Sequence, residues 1–172
     1  MPKNDYLKFM KLVYENMSTT GDIVECGVWR GGAIAGMASL LGGNRKYFLF
    51  DSFEGLTEAK EIDGAKALDW QRDVGGINYH DNCSADESWA VKAMEKAGQL
   101  NNSIIVKGWF EHTLPKTDIN EIFILRLDGD WYDFTMTFLD NLFHKVKVVG
   151  IIIIDDYYAW DGCSEALHDY LS

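Results

Sequence analysis

No apolar run among the 172 residues approaches the roughly 18 that a membrane-spanning helix requires, and the opening stretch Met1-Pro-Lys-Asn-Asp-Tyr6 has no apolar region of the kind that directs secretion. Basic residues are scarce too. Sixteen Lys and Arg stand against 27 Asp and Glu, a net charge of −11, and no local basic cluster reverses it, so a nucleic-acid backbone would be repelled. The expected ligands are cations and neutral or basic molecules. Cysteine is limited to Cys26, Cys83 and Cys163, an odd and unclustered set. That sets aside a disulfide framework and points to a reducing, cytoplasmic compartment. No internal repeat, low-complexity tract or linker interrupts the chain. With 47% hydrophobic and 13% aromatic residues, the span 1–172 reads as one domain able to bury a sizeable core.

What the sequence does have is apolar runs that stop at acids. Phe123-Ile-Leu-Arg-Leu127 leads into Asp128-Gly129-Asp130, and Val148-Val-Gly-Ile-Ile-Ile-Ile154 stops at Asp155-Asp156. Both read as buried strands whose carboxyl ends carry carboxylates, which is where an open parallel sheet builds its ligand sites. The 27 residues from Asp128 to Asp155 suit one helix and two short loops. A right-handed crossover of that length makes the strands parallel and brings both acidic ends to one edge of an α/β sheet.

Upstream, Asp5 is expected to cap a helix through about Met17, followed by a strand over Ile23–Val28 and a helix over Ala33–Leu41. Between these, Gly27, Gly31 and Gly32 leave bare backbone N–H groups at a helix start, although they do not spell G-x-G-x-x-G. The next strand, Lys46–Phe50, ends at Asp51-Ser52, and an acid there can accept both hydroxyls of a ribose. Glu54 to Cys83 is a long polar stretch of the kind found in lids or disordered segments. Ser84-Ala-Asp-Glu87 predicts a capping box for a helix to about Ala97, and Ser103–Gly108 is a third strand. His112 in the following loop reads most simply as solvated or packed. Phe134–Val146 is the crossover helix, Tyr157–Gly162 an aromatic loop and Cys163–Leu171 a last helix.

If Asp128, Asp155 and Asp156 converge, each pair about 4 Å apart repels by around 4 kcal/mol at an effective dielectric of 20. Raised pKa values, ion pairs or a divalent cation must answer this. Arg126 lies two positions before Asp128 on the same side of its strand, yet one arginine does not compensate three carboxylates. An all-oxygen donor set favours Mg²⁺, with Ca²⁺ or Mn²⁺ as substitutes. Asp130 and Asp133 are expected to cap local structure and face water.

Five colinear stretches carry a family resemblance: Ile23-Val-Glu-Cys-Gly-Val-Trp-Arg-Gly-Gly32, Leu49-Phe-Asp-Ser-Phe-Glu-Gly-Leu56, Lys107-Gly-Trp-Phe-Glu-His-Thr-Leu-Pro115, Leu125-Arg-Leu-Asp-Gly-Asp-Trp-Tyr-Asp133 and Ile153-Ile-Asp-Asp-Tyr157. The chain resembles the macrocin (TylF-type) O-methyltransferases, class I S-adenosylmethionine enzymes that methylate sugar hydroxyls on macrolides and aminocoumarins. The resemblance implies a Rossmann-like, doubly wound, mostly parallel sheet of order 3-2-1-4-5, shortened at both ends relative to the family. It implies that Glu25, Cys26, Gly27, Val28 and Gly31 hold the methionine end of S-adenosylmethionine and Asp51 its ribose, with Ser52, Trp109 and Asp128 also on the cofactor. Asp128, Asp155 and Asp156 would bind Mg²⁺, and Asp128 is also the implied general base. The acceptor would be a hydroxyl of a sugar or other vicinal diol. His112, Phe134 and Val149 depart from the family pattern, but none is an implied ligand. An inactive cofactor-binding or assembly domain of the same fold is the rival expectation. In the implied order the Val148–Ile154 strand lies at the sheet border, so a homo-oligomer covering it is expected, or else a fragment that associates weakly and non-specifically.

Overall fold

A computed structural model describes residues 3–172. Its centre is a five-stranded, all-parallel sheet of order β3-β2-β1-β4-β5. The strands are β1 (Asp22–Cys26), β2 (Tyr47–Asp51), β3 (Ser103–Lys107), β4 (Ile122–Leu127) and β5 (Val146–Ile154). The helices are α1 (Lys3–Glu15), α2 (Gly32–Leu41), α3 (Ala65–Arg72), α4 (Ser88–Lys96), α5 (Phe110–Thr113), α6 (Tyr132–Leu142) and α7 (Asp161–Leu171). The doubly wound arrangement follows from strands that are apolar on both faces and therefore need cover on both. In β2, Phe48 and Phe50 join one core cluster, with Phe110, Phe138 and Leu142, while Tyr47 and Leu49 join the other, with Ile34, Met37 and Met94.

Register fixes the site. Glu25 of β1 lies opposite Arg126 of β4, and Leu127 of β4 opposite Ile154 of β5. The ladder runs one residue past each strand, because Gly27 N–H donates to Phe50 O, Asp128 N–H to Cys26 O and Asp155 N–H to Leu127 O, each at 2.9 Å. The acids that end β4 and β5 are thus delivered side by side. Gly27 has φ +84°, and a Cβ there would overlap the Asp128 carbonyl oxygen, so only glycine lets β1 and β4 end this close together.

Several local expectations shift. The first helix ends at Glu15, and Met17 is exposed. The capping box at Ser84 does not form, because His80 to Cys83 all take left-handed φ values; Asp86 Oδ1 instead accepts from Ser88 N–H at 2.9 Å at the start of α4. The long polar stretch is neither bare loop nor unstructured, since it contains α3. The crossover helix stops at Leu142 and passes through a 3-10 turn, Phe143–Lys145. The β5 strand then begins early, and between the pairs Ile122–Val146 and Ile124–Ile151 it bulges outward. Val148 is fully exposed on that bulge, at the border of the sheet. Among the described residues no helix is long and apolar enough to cross a membrane.

Candidate active site

At the carboxyl ends of β4 and β5, one ligand oxygen each from Asp128, Asp155 and Asp156 lies within 4.8 Å of the others. Among the described residues a single cationic side chain, that of Arg126, pairs with Asp128 and Asp155. The Arg126 guanidinium, 3% exposed, donates through Nη1 to Glu25 Oε1 and forms ion pairs from Nη1 to Asp128 Oδ2 at 2.7 Å and from Nη2 to Asp155 Oδ2 at 2.9 Å. Burial alone would lower its pKa, but the charges of Asp128, Glu25 and Asp155 outweigh this and hold it above the usual arginine value. Even so, one positive charge faces a larger negative one. Burial, and then the charges of Asp130, Asp128 and Asp155, push Asp156 well above the normal carboxylate range. Burial also raises Asp155, with Arg126 pulling the other way.

Asp130 does not face water as expected. It takes φ +61°, its N–H donates to Asp156 Oδ2 at 3.2 Å, and its Oδ1 accepts from the Trp160 indole N–H at 2.7 Å. Burial, followed by the Asp128 charge, raises its pKa to about 7. Asp133, by contrast, is exposed and paired with Lys60, as a surface acid should be.

Two clefts meet at Asp128. The first encloses about 630 Å³ including its open mouth and is lined by Asp51, Ser52, Gly27, Phe110, Phe134 and Asp130 among others. Asp51 is nearly buried, with Oδ2 accepting from Trp29 N–H and Oδ1 from Phe53 N–H, both at 2.7 Å. Burial raises its pKa, and these backbone donors oppose the rise. The second cleft, about 830 Å³ by the same measure, runs between α1 and the start of α2 and is lined by Tyr6, Glu25, Val28, Gly32, Arg126 and Asp128. Here Glu25, 1% exposed, has Oε2 without a hydrogen-bond partner. Burial raises Glu25 to about 7 despite Arg126 and the Ile34 amide. A buried carboxylate oxygen left unpaired beside a cleft suits a ligand with a cationic group, such as the ammonium of an amino acid.

The structure therefore brings Glu25, Gly27, Val28, Asp51, Ser52 and Asp128 to the clefts and gathers Asp128, Asp155 and Asp156. Gly31 caps α2 with φ +78°, against Ala90. The Cys26 side chain is fully buried in the core, so only its backbone is available. Trp109 is not part of the first cleft's lining; it stacks on Phe134, which is. Sequence reasoning missed Phe110, Phe134, Asp130 and Trp160 as site residues. It also missed how the polar stretch closes over them. Trp70 of α3 packs edge-on against Trp131 and Trp160, and the Trp131 indole donates to Thr57 O at 3.0 Å. Asn82 exchanges hydrogen bonds with Leu56, holding the left-handed run and Cys83 against the first cleft.

Known proteins resemble this chain over most of its length. The chain is 37% identical over 156 residues to the 8-demethyl-8-(2,3-dimethoxy-alpha-L-rhamnosyl)-tetracenomycin-C 4'-O-methyltransferase of Streptomyces olivaceus, covering 87% of this chain and 58% of that protein. It is 34% identical over 155 residues to the demethyldecarbamoylnovobiocin O-methyltransferase of Streptomyces niveus, with coverage of 87% and 58%. The chain thus spans less than two thirds of the length of these curated relatives. The solved structure of the O-methyltransferase NovP superposes with a TM-score of 0.80 at 30% identity, over 96% of this chain and 70% of that one. Calicheamicin methyltransferase CalS11, at 20% identity and a TM-score of 0.72, shares the fold. The family description Macrocin-O-methyltransferase (TylF) matches residues 7–172, and the chain belongs to that family.

Proposed function

We propose that this chain is the catalytic domain of a Mg²⁺-dependent O-methyltransferase that moves the methyl group of S-adenosylmethionine to a hydroxyl of a sugar or similar vicinal-diol acceptor. The observation that carries the reading is Asp128, which forms a wall of both clefts and belongs to the carboxylate triad. One residue thereby joins the donor and the acceptor. The name of one relative, an O-methyltransferase of a rhamnosyl-tetracenomycin C, supports a sugar-like acceptor for this chain too.

In this reading the first cleft takes the adenosine, with Asp51 and Ser52 at the ribose and Phe110 and Phe134 against the base. The second takes the methionine end, where Glu25 Oε2 meets the ammonium and the start of α2 offers its free N–H groups to the carboxylate. The residues fit a hard divalent cation, since the triad is all oxygen and Asp128 and Asp155 each turn only one oxygen to Arg126. When bound, Mg²⁺ would hold two adjacent acceptor oxygens and lower the pKa of the one that is methylated. Asp128 is assigned the ligand role and, from the resemblance, that of base. A carboxylate shared between Arg126 and a cation is a poor proton acceptor. Asp130, free of ion pairs and held at the cleft wall by Trp160, is the better placed of the two. The three free cysteines suit the reducing cytoplasm.

The test is methyl transfer from labelled S-adenosylmethionine to a panel of rhamnosides and other diols, run with Mg²⁺ and with EDTA, beside calorimetric titration of S-adenosylhomocysteine. Expected are micromolar-range cofactor binding in both conditions and turnover only with the metal. Turnover at full rate in EDTA would remove the metal from the reaction, and cofactor binding without turnover on any acceptor would favour a binding domain.

A further inference from the structure

The Arg126 side chain makes three ion pairs and is almost wholly buried. Its Nε finds no partner, so the side chain is committed entirely to the carboxylates at its tip. Asp128 and Asp155 both present Oδ2 to this guanidinium, and one carboxylate oxygen of each lies within 4.8 Å of one from Asp156. Glu25, one strand away and opposite Arg126 in register, anchors the guanidinium from behind. We propose that Arg126 is the positioning residue of the triad, a planar fork braced on Glu25 that aims the free oxygens of Asp128 and Asp155 at one point and so builds a divalent-cation site from two strand ends. The inference rests on the metal reading given above.

Simple electrostatics predicts the reverse sign. A cation this close repels a divalent ion, and if charge were all that mattered, Arg126 would weaken binding. Orientation acts in the opposite direction. Groups that fix the ligands of a metal from behind are typically worth 10- to 100-fold in affinity. Lysine is a poor substitute, since an ammonium is a point donor on a flexible stem and does not hold Glu25, Asp128 and Asp155 in one plane as a guanidinium does.

The discriminating experiment measures Mn²⁺ affinity of the purified chain by electron paramagnetic resonance, with thermal melting as the folding control. Arg126→Lys keeps the charge and loses the fork. The pair Glu25→Gln with Arg126→Met removes one charge of each sign and keeps the net charge, and it supplies a second protein without the fork if the lysine variant fails to fold. Both variants are expected to bind Mn²⁺ about tenfold or more weakly than the wild type. Wild-type affinity, or tighter binding, in a folded variant would overturn the role of Arg126 and leave the metal site standing. A wild-type chain that binds no Mn²⁺ would overturn both.

Discussion

Replacing Asp51 by alanine should do two separable things. Its carboxylate is expected to receive the ribose hydroxyls, but in the folded chain it already accepts two backbone N–H groups, from Trp29 and Phe53, at 2.7 Å each. Both donors are non-glycine residues held at left-handed φ values of 48° and 58°. Such backbone is unfavourable by about 1–2 kcal/mol per residue and persists only where something holds it. Asp51 is what holds both turns, one on each side of the first cleft. Alanine leaves two N–H donors without an acceptor, at about 1–3 kcal/mol each where water does not reach them. The Trp29 amide is only partly buried, so we take about 3 kcal/mol for the two together. At roughly 2–4 °C per kcal/mol for a domain of this size, the ligand-free variant should melt about 6–12 °C below the wild type. Affinity for S-adenosylhomocysteine should fall as well, because the ribose contact and the two turns are lost together. Differential scanning fluorimetry of the ligand-free proteins, paired with calorimetry, separates the effects. A ligand-free Asp51→Ala variant that melts with the wild type would refute the structural half of this reasoning.

Burial first, and then the charges of Asp130, Asp128, Asp156 and Asp51, push the Cys83 thiol up to about 12, so at pH 8 its reaction with Ellman's reagent should be about a thousandfold slower than that of a free thiol. Because a raised pKa withholds the thiolate until alkaline pH, Mg²⁺ at the triad should lower it and speed labelling; fast labelling at pH 8 in EDTA would contradict this. Trp160→Phe keeps the aromatic packing but removes the N–H that holds Asp130, and should lower kcat about tenfold with little change in the KM for the methyl donor. An unchanged kcat would free Asp130 from that role. The exposed bulge of β5 is expected to be covered in a homo-oligomer, so Val148→Lys should shift sedimentation toward the monomer, while a wild type that is monomeric at every concentration would end the idea.

The sheet was legible because its signals are local. Strands covered on both faces are continuous apolar runs, and such runs, each closed by a polar or glycine turn, point to a parallel α/β sheet once the crossover length is known, while the strand order 3-2-1-4-5 came with the family resemblance. The boundary errors fall where a tertiary contact overrides propensity. Ser84 and Glu87 look like a capping box, yet the chain arrives there through four left-handed residues that pairing between Asn82 and Leu56 holds in place. Nothing in the local sequence announces that pairing. The early start of β5 is likewise set by the bulge opposite Ile122 and Ile124, a property of two strands and not of one.

At the site the same division holds, and it separates charge from shape. Acids at strand ends can be read as a group, since parallel register brings them together whatever the loops do. Asp128, Asp155 and Asp156 needed only the length of one crossover. Asp130 belongs to the same group but escapes the rule, because it lies beyond the strand and its direction is set by a left-handed backbone and by Trp160, 30 residues later. The aromatic walls escape it too. Phe110 and Phe134 are adjacent only because α5 and α6 pack together below the cleft, and an aromatic residue at helical spacing is as readily core as lining. Arg126 is the instructive intermediate. Its place beside Asp128 was visible in the strand pattern, but its reach to three carboxylates on three strands follows from the register of β1, β4 and β5 together. With this many acids at one edge, that internal cation offsets part of their repulsion before any ion arrives, and in the proposed role the same guanidinium orients the carboxylates it pairs with.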